Sequence, residues 1–231
     1  MLRTQFENDL QKLHSQFYEM GTMVSDAIYK AVQAFVNHDK ELAKEVIESD
    51  HLINEMEIKL ERKSFEMIAL QQPVTTDLRM IVTILKASSD LERLGDNAVS
   101  IAKATIRVKG NKRIPKVEEE ISTMSHYAIH MVNEVLTAYI KSDEKSARQI
   151  AKEDSKINHC YRQVYRDTVE SMKENPDTIV GGTDYLQVAS YLERIGDYVT
   201  NVCEWIVYLE TGRITELNTD DGDAEENLLD H

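Results

Sequence analysis

The sequence predicts an all-α protein, a tandem duplication of antiparallel three-helix bundles with six long helices and pseudo-two-fold symmetry. Composition is the first observation: 231 residues include only eight Gly and three Pro, and helix-favouring residues are abundant. A repeat is the second: Leu-Glu-Arg-Leu-Gly-Asp at 91–96 returns as Leu-Glu-Arg-Ile-Gly-Asp at 192–197. A period near one hundred residues is typical of a duplicated bundle rather than a solenoid of short repeats.

The duplication extends well beyond this motif. At an offset of 104 positions, residues of the first copy match similar residues of the second, from Met20 with Met124 to Asn54 with Asn158. By Leu91 the offset has fallen to 101, so the second copy is three residues shorter in between. A change in the length of a hairpin loop would explain this difference. We therefore expect a first bundle over 1–110, a second over 115–212, and an acidic, disordered tail over 213–231.

Capping residues and helix breakers divide each copy into three helices. In the first copy, the predicted helices run from about 2 to 37, from the N-cap Asp39 to Gln72-Pro73, and from 74 to about 109. In the second copy, one helix begins at Pro115 and the next runs from the N-cap Asp143 to Asn175-Pro176. The sixth helix begins between Asp177 and Asp184 and ends at Gly212. Short connections within each copy favour antiparallel neighbours and hence a three-helix bundle.

Helical periodicity separates the repeated motif from the core. The predicted core stripe of the third helix is Ala87, Leu91, Leu94, Ala98 and Ile101. That of the sixth helix is Val188, Leu192, Ile195, Val199, Val202 and Ile206. The acids of the motif, Glu92 with Asp96 and Glu193 with Asp197, fall on the opposite side. We expect them to be exposed or at a surface between bundles.

Antiparallel geometry gives each motif a polar neighbour on the preceding helix. A hairpin turning near Gln72 places Asp50 level with Leu94, and a turn near Asn175 places Asp154 level with about Gly196. Each acidic pair then faces an Asp-x-x-x-Asn pair. We predict metal ligands at Glu92, Asp96, Glu193, Asp197, Asp50 and Asp154, with Asn54 and Asn158 as additional candidates.

This set of oxygen donors favours Mg²⁺, Mn²⁺ or iron over structural zinc. The Gly of each motif costs the helix about 1 kcal/mol relative to Ala, so close approach of a second helix is the expected reason for it.

Two other functions remain open: a carboxylate-bridged metalloenzyme and a purely structural helical adaptor. The motifs could be solvated helix faces, or an interface salt-bridge network, in which Arg93 and Arg194 neutralise the acids. The Glu48-x-x-His51 pattern has the form of a di-iron ligand motif, but the second copy offers no counterpart. His126, His130 and Glu134 form a polar face that the first copy also lacks.

Composition and motifs exclude several classes of function. The net charge of −14 argues against nucleic acid or anionic lipid as the main partner. Cys160 and Cys203 form no metal or redox motif, which favours a reducing cytoplasm. No apolar run is long enough to span a bilayer. No nucleophile–base set or Gly-rich phosphate loop is present, so we expect a non-enzymatic protein.

The doubled LERxGD motif, together with Gln72-Pro73-x-x-x-Asp77-Leu78-Arg79, resembles the PhoU family over essentially the whole chain except the tail. The resemblance implies a cytoplasmic, peripheral negative regulator of phosphate uptake. Such a protein acts on the ATPase of the phosphate ABC transporter and on the linked sensor histidine kinase, and a homodimer is expected.

The resemblance also implies metal ions, which could be Mg, Mn, Fe or Zn, at Glu92/Asp96 and Glu193/Asp197. The Asp50/Asn54 and Asp154/Asn158 pairs depart from the family's Glu/Asp-x-x-x-Asp pattern. We assign Arg93, Arg194, Asp77 and Arg79 to partner or interface contacts.

Overall fold

The structure, a computed structural model, describes residues 2–108, 110 and 112–217. Within these ranges the chain forms six α-helices and no strand. The helices are α1 (Leu2–Asn37), α2 (Lys40–Gln71), α3 (Thr75–Val108), α4 (Pro115–Lys141), α5 (Glu144–Glu174) and α6 (Ile179–Thr211), and a 3₁₀ turn (Pro176–Thr178) precedes α6. None of these described helices combines the length and the apolar character that crossing a membrane would require.

The first loop of each half has the same construction. His38 and Ser142, which are 104 positions apart, both adopt left-handed backbone conformations with φ of 52° and 48°. Each is followed by a capping aspartate: Asp39 accepts hydrogen bonds from two backbone N–H groups of α2, and Asp143 accepts one from Ser146. The predicted N-caps are thereby confirmed, and the duplication is visible in the backbone itself.

Each half is a three-helix bundle in which all three helices contact one another. The halves meet where α3 packs on α6 and α1 packs on α4. Both pairs join equivalent helices of the two copies, as a pseudo-two-fold axis requires. Among the described residues, α2 and α5 contact only helices of their own half, so they lie at opposite ends of the molecule. The predicted architecture is confirmed.

One hydrophobic core runs through both halves. Every residue predicted for the core stripes of α3 and α6 is at most 1% exposed. Aromatic pairs cross the junction: the ring centroids of Phe17 and Tyr139 are 4.4 Å apart, and those of Phe35 and Tyr185 are 5.7 Å apart. The bundles are therefore repeat units that share a core.

A buried carboxylate fixes one end of the junction between the halves. Glu118 of α4 accepts hydrogen bonds from Arg113 in the preceding loop and from the Tyr185 hydroxyl of α6, at 2.6 Å. The His38 ring from the first half lies 3.0 Å from the same carboxylate. Burial alone would raise the pKa of Glu118, but Arg113, Tyr185 and His38 together hold it below its ordinary value.

The chain leaves α6 through a left-handed Gly212, whose N–H bonds to the carbonyl of Tyr208 at 2.8 Å. Residues 213–217 are not helical. Leu217 nevertheless packs against the core, and its N–H donates to Glu204 at 2.8 Å. Most of the predicted tail, 218–231, lies outside the described residues, so its disorder stays a prediction.

Candidate metal centres

The two motif glycines lie where the second and third helices of each half are in close contact. A Cβ built on Gly95 would be 3.2 Å from Ile53 Cδ1 and 3.9 Å from Asp50 Oδ1. A Cβ on Gly196 would overlap Asp154 Oδ1. The predicted level-matching of Asp50 and Asp154 with the motifs is therefore correct, and close helix approach accounts for Gly at both positions.

The aspartates on α2 and α5 are each held by the asparagine one turn later. Asn54 donates to Asp50 Oδ2 at 3.0 Å, and Asn158 donates to Asp154 Oδ2 at 2.9 Å. In the first half the remaining oxygens, Asp50 Oδ1 and Asn54 Oδ1, are buried and accept no hydrogen bond from the described protein. Buried oxygen atoms without a donor are unfavourable in an apo protein, and a cation would satisfy them.

The motif acids lie beside these aspartates, at the outer edge of the groove between the helices. Glu92 and Glu193 are half-buried, and Asp96 is exposed. Burial, followed by the charges of Asp96 and Glu57, raises the pKa of Glu92 to about 6. The pKa of Asp96 is also raised, first by burial and then by Asp50. Mutual repulsion of this kind indicates a site that would accept positive charge.

Glu57 of α2 belongs to the same cluster, although sequence reasoning did not identify it. Its carboxylate lies against Ser89 of α3, and its pKa is raised by burial and by the neighbouring acids, including Asp96. The signal available in the sequence was its position seven residues, or two helical turns, after Asp50. Its counterpart at the repeat offset is Tyr161, so a search for acids shared by both copies passes over it.

The oxygen donors fit a hard cation, but the site is not preassembled. Within the described ranges, no three His, Cys, Asp or Glu side chains already converge on a single point. Asp96 is exposed, whereas Asp50 and Asp154 are each held by a hydrogen bond from the asparagine one turn later. Binding would therefore draw the motif acids inward toward the fixed aspartates.

The motif arginines do more than neutralise the neighbouring acids, although the charge of Arg93 does lower the pKa of Glu92 and Asp96. The Arg93 guanidinium lies 5.9 Å from the ring centroid of Tyr198, across the junction on α6. Arg194 is exposed and lines an open hollow of about 660 Å³ together with Asp197 and Tyr198. Arg93 thus links the two halves within the chain.

The other two residues assigned to partner contacts have different surroundings. Asp77 is exposed in the first turn of α3. Arg79 is half-buried, and its guanidinium lies against Gly212 at the end of α6. Arg79 therefore contacts the second half of its own chain, while the partner contact assigned to the exposed Asp77 stays a prediction.

The histidines considered as alternative ligands are not directed into a bundle. The His51 ring nitrogen Nδ1 lies 2.7 Å from the carbonyl of Glu48 on its own helix. His126 and His130 are exposed, and His130 lies 3.7 Å from Glu153. These positions give no support to a di-iron centre inside the bundle, which needs inward-facing ligands.

Comparison with known proteins supports the duplicated fold. The PhoU domain matches the chain twice, over residues 17–105 and 121–206. The chain is 38% identical over 219 residues to the phosphate-specific transport system accessory protein PhoU homolog of Clostridium acetobutylicum, covering 94% of this chain and 100% of that protein. It is 36% identical over 217 residues to the PhoU homolog of Streptococcus pneumoniae, again covering 94% and 100%.

A solved structure gives the same result. The crystal structure of the phosphate transport system regulatory protein PhoU from Streptococcus pneumoniae superposes with a TM-score of 0.87 at 34% identity, covering 92% of this chain and 100% of that one. Both copies of the repeat and nearly the whole length are matched. The chain belongs to the PhoU family, and it is a PhoU-like phosphate transport accessory protein.

Proposed function

We propose that this protein is a non-enzymatic negative regulator of phosphate uptake and phosphate signalling. It acts on the ATPase of the phosphate ABC transporter and on the linked sensor histidine kinase when phosphate is plentiful. The observation that carries this proposal is the end-to-end similarity, through both repeats, to proteins named as accessory to phosphate-specific transport. It works in the cytoplasm, reaches the inner face of the membrane through these partners, and forms a homodimer.

The two carboxylate clusters give the regulator its ligand sites. Glu92, Asp96 and Asp50 would hold a cation in the first half, and Glu193, Asp197 and Asp154 would do so in the second. The buried oxygens of Asp50 and Asn54 that have no hydrogen-bond partner in the described part of the chain support this role in the first half. The donors are hard oxygens, which suit Mg²⁺, Mn²⁺ or iron.

Binding of the purified protein to the ATPase and to the kinase sensor region, with and without phosphate, tests the regulatory role. We expect the full-length chain to retain both partners, and phosphate to change the amount retained. Size-exclusion chromatography with light scattering checks the homodimer. Failure of the chain to bind either partner in either condition would remove the proposed function.

A double variant, Glu92→Ala with Glu193→Ala, tests the clusters. Both residues lie away from the core stripes, so the change removes ligands without opening a cavity. We expect elemental analysis to show loss of bound divalent metal while circular dichroism is unchanged.

The matched control is Glu134→Ala with Glu210→Ala, which removes two exposed acids from other surfaces. It should retain wild-type metal content. Unchanged metal in the first double variant would show that the motif acids are not ligands, and loss of helicity would favour a structural salt-bridge role.

A further inference from the structure

The two candidate centres differ at one equivalent position. Residue 57 on α2 is Glu, whereas residue 161, its counterpart on α5, is Tyr. Both side chains are half-buried, and each lies near a residue of the third helix of its half. Glu57 lies against Ser89 and beside Glu92. Tyr161 lies beside Glu193.

This exchange changes the charge of the two clusters. The first half gathers four carboxylates: Asp50, Glu57, Glu92 and Asp96. Among the described residues the second half gathers three, Asp154, Glu193 and Asp197, and places a phenol where the fourth would be. For hard cations, the number of charged oxygen ligands tunes affinity over orders of magnitude. A neutral phenol does not replace a carboxylate as a ligand for Mg²⁺ or Mn²⁺.

The position of Glu57 allows it to reach a cation in the first cluster. Asp50 is level with Gly95, and Ser89, which Glu57 touches, lies one turn before Glu92 on the same face of α3. A cation drawn between Asp50 and Glu92 would therefore have the Glu57 carboxylate next to it. The buried Oδ1 atoms of Asp50 and Asn54 have no hydrogen-bond partner among the described residues, and Asp50 Oδ1 lies beside Gly95 in the same groove.

We infer that Glu57 is an additional cation ligand of the first cluster, and that it makes the first half the tighter of two non-equivalent divalent-metal sites. This inference rests on the proposed function, because it requires the carboxylate clusters to bind cations.

Reciprocal substitutions test it on the full-length protein after metal removal. Glu57→Tyr gives the first cluster the composition of the second, and Tyr161→Glu gives the second the composition of the first. Each variant is titrated with Mn²⁺ by calorimetry, and the free-Mn²⁺ electron paramagnetic resonance signal gives the bound stoichiometry independently.

We expect the wild type to show two classes of site. Glu57→Tyr should weaken the tighter class by about ten- to a hundredfold, in line with the loss of a supporting ligand. Tyr161→Glu should tighten the weaker class and leave the other unchanged. If the larger ring of Glu57→Tyr disturbs folding, Glu57→Gln replaces it in the test, because the amide keeps the shape of the side chain. Glu57→Gln should weaken the same class of site.

Two controls make equivalent charge changes elsewhere. Glu55→Tyr removes an exposed acid from α2, and Tyr29→Glu adds one at an exposed position of α1. Neither control should change the Mn²⁺ affinity of either class of site by more than the long-range effect of one added or removed charge.

The possible failures can be told apart. A wild-type protein that binds no Mn²⁺ would overturn the cation role of the clusters and this inference together. A wild type that binds Mn²⁺ at two equivalent sites, or swaps that leave both affinities unchanged, would overturn only the role of Glu57.

Discussion

The two ends of the junction between the halves use tyrosine in opposite ways. At one end, the buried Tyr185 hydroxyl donates to Glu118, which Arg113 and His38 also contact. At the other end, the Tyr139 hydroxyl is buried and has no hydrogen-bond partner among the described residues. His14 stacks on Tyr139 with ring centroids 4.7 Å apart, and burial lowers the pKa of this histidine.

Glu118 and His14 occupy equivalent positions in the repeat, 104 residues apart. One copy therefore carries a charged acceptor where the other carries a stacking ring. The first loop of each half, its capping aspartate and the motif glycine are shared by both halves, whereas the second loops and the polar side chains at the junction and at the groove edges differ. Duplication has preserved what the backbone needs, and the chemistry of the side chains has been free to diverge.

The largest expected effect comes from removing the Tyr185 hydroxyl, which donates a hydrogen bond to Glu118. Tyr185→Phe deletes a hydrogen bond to a buried carboxylate, and bonds of this kind stabilise proteins by about 1.5–3 kcal/mol. We expect the free energy of unfolding, from urea denaturation, to fall by about 2 kcal/mol. The ring remains, so its packing against Phe35 is unchanged.

Tyr139→Phe is the matched variant at the other end. It deletes a buried hydroxyl that has no partner, so stability should be unchanged or slightly increased. Equal losses in the two variants would show that the Tyr139 hydroxyl has an acceptor in solution, and the contrast between the two ends would be wrong.

The motif glycines give the next largest contrast. An added methyl group at Gly196 must displace the buried Asp154 carboxylate, and overpacking of this kind costs about 1–3 kcal/mol. At Gly95, Ile53 Cδ1 needs to give by only a few tenths of an ångström. The helix gains about 1 kcal/mol from Gly→Ala in either case.

We therefore expect Gly196→Ala to lower the thermal midpoint and Gly95→Ala to leave it nearly unchanged or raise it. Differential scanning calorimetry of both variants measures the difference. If Gly95→Ala were the more damaging change, α2 and α3 would pack more tightly at Gly95 than the structure shows.

The fold was predictable because its signals are local and repeated. Asp39 and Asp143 have the capping chemistry expected at helix starts, and the apolar period of α3 and α6 identifies their buried faces. Hairpin lengths then place Asp50 beside Gly95 and Asp154 beside Gly196, since helical rise per residue is nearly constant.

The site was predictable only where the two copies agree. Glu57 was missed because Tyr161 takes its place, and a comparison of repeats finds shared residues, not substituted ones. The Glu118 network was missed for a different reason: Arg113, Tyr185 and His38 reach it from three separate segments. Contacts of that kind depend on tertiary packing, for which the sequence carries no local pattern.

The smallest effect concerns a pair of acids that only the second half has. Glu120 of α4 lies against Asp167 of α5, where Lys116 Nζ is 2.8 Å and Gln163 Nε2 is 2.7 Å from Asp167 Oδ2. At the corresponding positions the first half has Gln16 and Lys63.

Burial and the Asp167 carboxylate raise the pKa of Glu120 to about 7, while Glu120 and Lys116 lower that of Asp167 to about 2. The two carboxyl groups therefore share a proton near neutral pH.

The sign of the pH dependence follows from these two shifts. The stability contributed by the raised pKa of Glu120 is complete below about pH 4.5 and is lost as the pH rises through about 7. The contribution of Asp167 is complete above its ordinary pKa, so it is constant over this range. The thermal midpoint of the wild type should fall by a few degrees more than that of Glu120→Gln between pH 5 and 8, since the amide donates to Asp167 at every pH. Subtracting the two profiles removes the contribution of Glu92, which titrates in the same range in both proteins. If the two profiles ran parallel, Glu120 and Asp167 would not share a proton, and the second half would have no more pH dependence than the first.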